Sequence, residues 1–117
     1  MGDFPITKFN YDTYKNEAIT GTEDWVSVAE LGEGGYDWTE FKAFYSPSAR
    51  RYFWLGESGC SCSGWGEDVS SPADLEDGDR NALLRAWETF AKDNEYAIPV
   101  SDYLAGVSEI RSFKESK

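Results

Sequence analysis

Three runs of aromatic and β-branched residues follow one another with only turn-forming residues between them: WVSVAEL (25–31), YDWTEFKAFY (36–45) and RRYFWL (50–55). Such runs read as strands. Their connections are Gly32-Glu33-Gly34-Gly35, suited to positive φ, and Ser46-Pro47-Ser48-Ala49, with proline where a type I turn wants it. Connections this short join antiparallel neighbours, so the three runs predict an antiparallel meander. The second run changes phase partway. Tyr36 and Trp38 share one face, whereas Phe41, Ala43 and Tyr45 share the other. A bulge near Thr39 or Glu40 would reconcile the two halves.

Beyond residue 70 the pattern turns helical. Ser71-Pro72-Ala73-Asp74 has a capping serine, proline at the first helical position and an acid in the first turn. Gly78 is expected to stop that turn, and Asp79 to cap a helix from Arg80 to Asp93. Leu83, Leu84, Trp87, Phe90 and Ala91 form its buried stripe. Arg80, Arg85, Glu88 and Lys92 lie outside, with Glu88 and Lys92 in the favourable i, i+4 order. Asn94 suits the C-terminal position. A last helix over 102–114, opened by Pro99 and Ser101, would bury Leu104, Val107 and Ile110, flanked by Tyr103 and Phe113, with Lys114 and Lys117 at its end. The expected fold class is α+β: one domain over 1–117, a small three-stranded antiparallel meander packed against two C-terminal helices. Residues 1–22, with Phe4, Pro5, Phe9, Asn10, Tyr11, Tyr14 and Gly21, read as an irregular N-terminal segment holding at most a short strand or turn. Residues 56–71 read as a Gly/Ser/Cys loop rather than a regular element.

Composition removes whole chemistries. The 117 residues contain no His, which excludes Ser-His-Asp and Cys-His catalysis and imidazole metal ligands. Twenty-two acids against eleven bases give a net charge of −11, which argues against a phosphate-backbone binder. The whole excess lies in residues 1–79; residues 80–117 hold equal numbers of acids and bases. Residues 17–40 and 52–79 hold seven acids each and no base. In a compact fold such stretches create a negative face. No segment approaches the roughly 18 apolar residues of a membrane span. The opening residues lack the basic and apolar regions of a secretory signal, and Ile6 stands where a myristoylation motif needs Ser or Thr. A cytoplasmic location is expected.

With so many acids, pairs such as Asp37 with Glu40 or Glu67 with Asp68 arise without a glycosidase site behind them. Asp74 to Gly78 lacks the alternating ligands of an EF-hand loop. Gly32, Gly34 and Gly35 have no following Lys and no opening helix, so they form no phosphate cradle. Cys60 and Cys62, separated by Ser61, have side-chain vectors poorly suited to a mutual disulfide, and two unjoined thiols are expected in a reducing cytosol. A soft-metal site would need further ligands from Glu57, Glu67 or Asp68, or four thiols pooled by a dimer. A transient redox role is the other thiol alternative. No cofactor is expected.

Gly59-Cys60-Ser61-Cys62-Ser63-Gly64-Trp65-Gly66-Glu67, entered from the aromatic strand that ends at Trp54-Leu55, resembles a family of small accessory proteins of unknown function encoded by actinobacterial bacteriophages. In that family an aromatic strand runs into Gly-Cys-Ser-Cys and then, after a few residues, Trp-Glu. Here Gly66 is inserted before the acid. A Ser-Pro-Ala-Asp-Leu element and a Leu-containing helix follow, so the likeness spans about residues 36 to 92. The family supplies no activity to carry over. The resemblance implies a small protein made in the host cytoplasm.

The reading that joins these observations is non-catalytic binding to a host protein with a basic surface, without contact to nucleic acid or membrane, as in host takeover or defence inhibition. The candidate binding residues are Trp65, Glu67, Asp68, Asp74, Glu76 and Asp77: acids for encounter and an aromatic anchor, provided the Trp is exposed. The alternatives are a small metal-binding or thiol-redox protein using Cys60 and Cys62, and an acidic immunity protein against a basic toxin.

Overall fold

A computed structural model describes residues 5–33 and 36–115 of the chain. The expectations placed on Phe4, Gly34, Gly35 and Lys117 lie outside the described residues. The fold is α+β. Among the described residues, six strands, β1 (Thr7–Asn10), β2 (Lys15–Ala18), β3 (Val26–Glu33), β4 (Asp37–Ser46), β5 (Arg51–Cys60) and β6 (Glu76–Gly78), precede two helices, α1 (Arg80–Asp93) and α2 (Val100–Ser112). Strands β3-β4-β5-β6 form one antiparallel sheet in that order; β1 and β2 pair separately as a hairpin.

The meander is present but larger than the sequence indicated. Glu76–Gly78 adds a fourth strand, opposite Tyr52, Phe53 and Trp54, where Gly78 was expected only to end a turn. Strand β5 continues through Gly56, Glu57, Ser58 and Gly59 to Cys60, into residues expected to be loop. The gain is backbone pairing: Asp37 to Ser46 meets Cys60 to Arg51 without a break. Glycine carries a β-propensity cost of under about 1 kcal/mol, which continuous ladder pairing overrides. The N-terminal segment likewise forms the β1–β2 hairpin rather than irregular chain.

Strand β4 needs no bulge at Thr39 or Glu40. The register shift lies in β3, at Val28, between the Ser27–Phe44 and Ala29–Ala43 pairs. The phase change in β4 has a different cause: both faces of the sheet are covered. On one face Ala29, Leu31, Phe41, Ala43, Tyr45, Tyr52 and Trp54 pack against Leu83, Trp87, Ala91, Ile98 and Ile110. On the other, Trp25 and Phe44 meet Ile6, Ile19, Val69 and Leu75, with Phe53, Leu55 and Trp65 alongside. Strands buried on both sides read as apolar runs rather than alternations.

Helix α1 starts where expected, with the Asp79 carboxylate accepting the Ala82 N–H at 2.8 Å. Leu83 and Trp87 are fully buried, and Leu84 and Phe90 half-buried. The Glu88–Lys92 ion pair is not formed, in keeping with the small worth of exposed pairs. Helix α2 begins at Val100, and its inner face is turned by one residue from the expected stripe. Leu104 is 57% exposed, whereas Gly106 and Ile110 are buried and Tyr103 and Val107 half-buried. Gly106 explains the rotation. A Cβ there would stand 1.8 Å from the Trp87 ring, so only glycine lets α2 lie against that indole. The Trp87 N–H donates to the Tyr103 carbonyl at 3.1 Å.

Residues after α2 return to the sheet. Arg80 donates to the Arg111 and Phe113 carbonyls at 2.7 and 2.8 Å and pairs with Glu115 at 3.0 Å. The buried Tyr52 hydroxyl donates to the same Glu115 carboxylate at 2.7 Å. Burial and the Glu115 acceptor push the Tyr52 phenol up from 10.0 to about 12. A proton held more tightly in the fold stabilises it below the ordinary phenol range and ceases to do so as pH rises through the folded value. Stability is therefore expected to fall between pH 10 and about 12. Glu115 acts on the acid side. Its carboxylate is lowered chiefly by the Tyr52 hydrogen bond, so its contribution is present above the usual carboxylate range and lost on acidification. Ultraviolet titration of the phenols should show Tyr52 ionising late, and Tyr52→Phe should remove its late step.

Candidate binding face

The segment after β5 folds back onto the sheet through hydrogen bonds from both ends. The Trp38 indole donates to the Cys60 carbonyl at 2.8 Å, and the Ser63 N–H closes a turn on the same oxygen at 3.1 Å. Further along, the Trp65 indole donates to the Leu55 carbonyl at 2.9 Å, the Gly66 N–H to Glu57 at 2.8 Å and the Gly64 N–H to Glu67 at 3.1 Å. Gly59 permits this close return, since a Cβ there would meet Trp38 and the Ser63 hydroxyl at 2.8 Å. Trp65 is half-buried. Its ring stands 6.0 Å from Phe44 and the Lys42 ammonium lies 5.0 Å above it. It serves as a cover for the second core and is not a free anchor.

The five acids are all exposed, but the fold does not gather them on one face. Glu76 pairs across strands with Trp54 and so points to the helix side, where it lines a cleft with Arg85. Asp77 is held by Arg51 at 2.6 Å. Asp74 accepts from the Ser70 N–H and hydroxyl at 2.9 and 3.1 Å and from the Ser71 N–H at 3.2 Å, ahead of a single 3₁₀ turn over Pro72–Asp74. Those bonds, the Ser70 amide first, hold its carboxyl below the usual range. Among the described residues, no Lys or Arg pairs with Glu67 or Asp68.

A group the sequence did not mark completes this region. Lys8 donates to the Glu67 and Val69 carbonyls, both at 2.8 Å, and so ties the β1–β2 hairpin beside the unpaired acids. At the hairpin tip Phe9 stacks edge-on with Tyr11 and Tyr14 at 4.9 and 6.3 Å, and both tyrosines are 78% exposed. The Asn10 side-chain oxygen accepts the Asp12 N–H at 2.8 Å, and the Asn10 backbone carbonyl accepts the Tyr14 N–H at 2.8 Å. Tyr14 sits at φ 56, a left-handed conformation that a bulky residue seldom adopts. The signal was available in FNYDTY: three aromatics crowded around Asn and Asp with no strand or helix period to bury them.

Cys60 and Cys62 are free and exposed. They are not joined, but the turn after Cys60 brings the two sulfurs to 2.6 Å. Among the described residues, no group of three or more Cys, Asp or Glu is placed to hold a metal ion, and no helix is long and apolar enough to cross a membrane.

The fold and this face define a small α+β module that carries unpaired acids beside an exposed aromatic hairpin. The chain belongs to the family described as Domain of unknown function (DUF7574), whose family model matches residues 9–116. No curated protein matches the chain. No solved structure matches it either.

Proposed function

We propose that this chain is a phage-type accessory protein that works without catalysis, by seating its hairpin face on a basic surface of a host-cell protein. The observation that carries this reading is the joining of Phe9, Tyr11 and Tyr14 to Glu67 and Asp68 by the Lys8 bridge. Lys8 gives its hydrogen bonds to backbone carbonyls and, among the described residues, forms no ion pair with either carboxylate. Tyrosines suit such a face because they offer large contact area at little entropic cost. These exposed acids speed arrival at a cationic groove and repel phosphate backbones.

The test begins with a partner captured from host lysate and purified, followed by surface-binding kinetics. Raising salt is expected to slow association far more than it speeds dissociation, because exposed charges are screened beyond about 8 Å at physiological ionic strength. Glu67→Gln with Asp68→Asn should reproduce that slowing. Tyr11→Ser with Tyr14→Ser should instead hasten release, with a loss of about 2 kcal/mol or more if the pair forms a hot spot. Replacing Glu76, on the helix side, should change neither rate. Tight DNA or RNA binding at physiological salt, or a complex indifferent to both double variants, would sink this reading.

A further inference from the structure

We propose that Cys60 and Cys62 form a reversible dithiol–disulfide centre that exchanges with low-molecular-weight disulfides, with Cys60 as the attacking sulfur. This goes beyond the binding reading and does not depend on it. Along an extended strand, residues two apart stand roughly 6.6 Å from each other on one face. Here the strand ends at Cys60 and the chain turns, and the two sulfurs lie 2.6 Å apart. Both side chains are exposed and uncommitted to either core. The approach is built in, because the Cys60 carbonyl is held by Trp38 and by the Ser63 amide, and the return of the chain by Trp65 and Gly66.

The exchange balances without any group the protein lacks. The Cys60 thiol loses its proton and its sulfur attacks one sulfur of a disulfide RSSR. The S–S bond of the reagent breaks, RS⁻ leaves and takes up the proton, and Cys60 carries a mixed disulfide. Cys62 then loses its proton and attacks the Cys60 sulfur, expelling the second RS⁻ as RSH. The protein has lost two hydrogens and the reagent has become two thiols. The roles follow from the hydrogen bond between the pair. The contact between the two sulfurs lowers the Cys60 thiol and raises Cys62, which keeps its proton until the second step. Asp37, opposite Cys60 in the sheet, and Glu67, near Cys62, surround the pair with negative charge, which favours a cationic reagent.

The test treats the reduced full-length chain with cystamine, quenches with acid and combines intact mass with a count of iodoacetamide adducts. The wild type is expected to lose two hydrogens, to take no adduct and to regain both adducts after dithiothreitol. Cys62→Ser should stop at one cysteamine on Cys60, and Cys60→Ser should react several-fold more slowly at Cys62. In urea, where the turn is lost, the wild type should accumulate mixed disulfides instead of closing the ring. Four results would overturn the proposal: a cysteamine on each cysteine of the folded wild type, disulfide-linked pairs of chains, undiminished alkylation after cystamine, or a Cys60→Ser variant as fast as Cys62→Ser.

Discussion

Trp87→Ala is expected to cost about 3–5 kcal/mol in denaturant unfolding, the range for removing a buried Trp or Phe. Trp87 has no exposed surface. Its ring stands edge-on to Phe41 at 5.3 Å on the sheet side and lies against Gly106 on the other. Both neighbours are fixed, Phe41 in a strand paired on two sides and Gly106 in a helix backbone, so the cavity cannot collapse by a side-chain shift. The loss also removes the hydrogen bond from the indole N–H to the Tyr103 carbonyl. An unchanged denaturant slope with a lowered midpoint would show the stability effect in isolation. A cost under about 1 kcal/mol would mean that α1 and α2 do not share the sheet face as described.

Gly106→Ala is the second large effect, and its sign separates two principles. In an exposed helix interior alanine would stabilise by about 1 kcal/mol over glycine. Here the new Cβ would stand 1.8 Å from the Trp87 Cζ2 and 2.5 Å from its Cε2. The ring cannot swing outward, because it is enclosed. Overpacking of this kind costs about 1–3 kcal/mol, so the net change is expected to be destabilising. Combining Gly106→Ala with Trp87→Phe should cost less than the two single changes added together, since the smaller ring makes room for the methyl; contacting residues are non-additive in this way. Strict additivity would contradict the contact.

How much of this was legible in the sequence can be argued residue by residue. The three strands, the Asp79 cap, the Ser71-Pro72 turn and the Leu83–Trp87 stripe carry their signals locally, in turn residues and in spacing. The fourth strand did not, because Glu76-Asp77-Gly78 has no strand propensity and is set by pairing with Tyr52 to Trp54. Leu104 misled because a helix stripe read from apolar residues alone overlooks a glycine placed against a ring. Among the described residues, Glu67 and Asp68 form no ion pair. Arg51 reaches Asp77 from another strand, and Arg85 lines the same cleft as Glu76, neither of which charge counting along the chain reveals. Trp65 was legible as unusual, but its burial depends on Lys42 and Phe44, which are distant in sequence and reach it from β4, the strand paired with β5.

The four-stranded sheet ends on two outer strands, β3 and β6. An outer strand presents a row of unpaired N–H and C=O groups that a second chain can extend into a fibre. Strand β6 offers little template: it is three residues long and two of them are acids. Strand β3 is interrupted by the register shift at Val28 and carries Glu30 exposed. A would-be partner strand thus meets like charge on one flank and broken register on the other. In a chain with nineteen aromatic residues, acids at Glu76 and Asp77, outside the hairpin face, disfavour extension of the sheet by a second strand at β6.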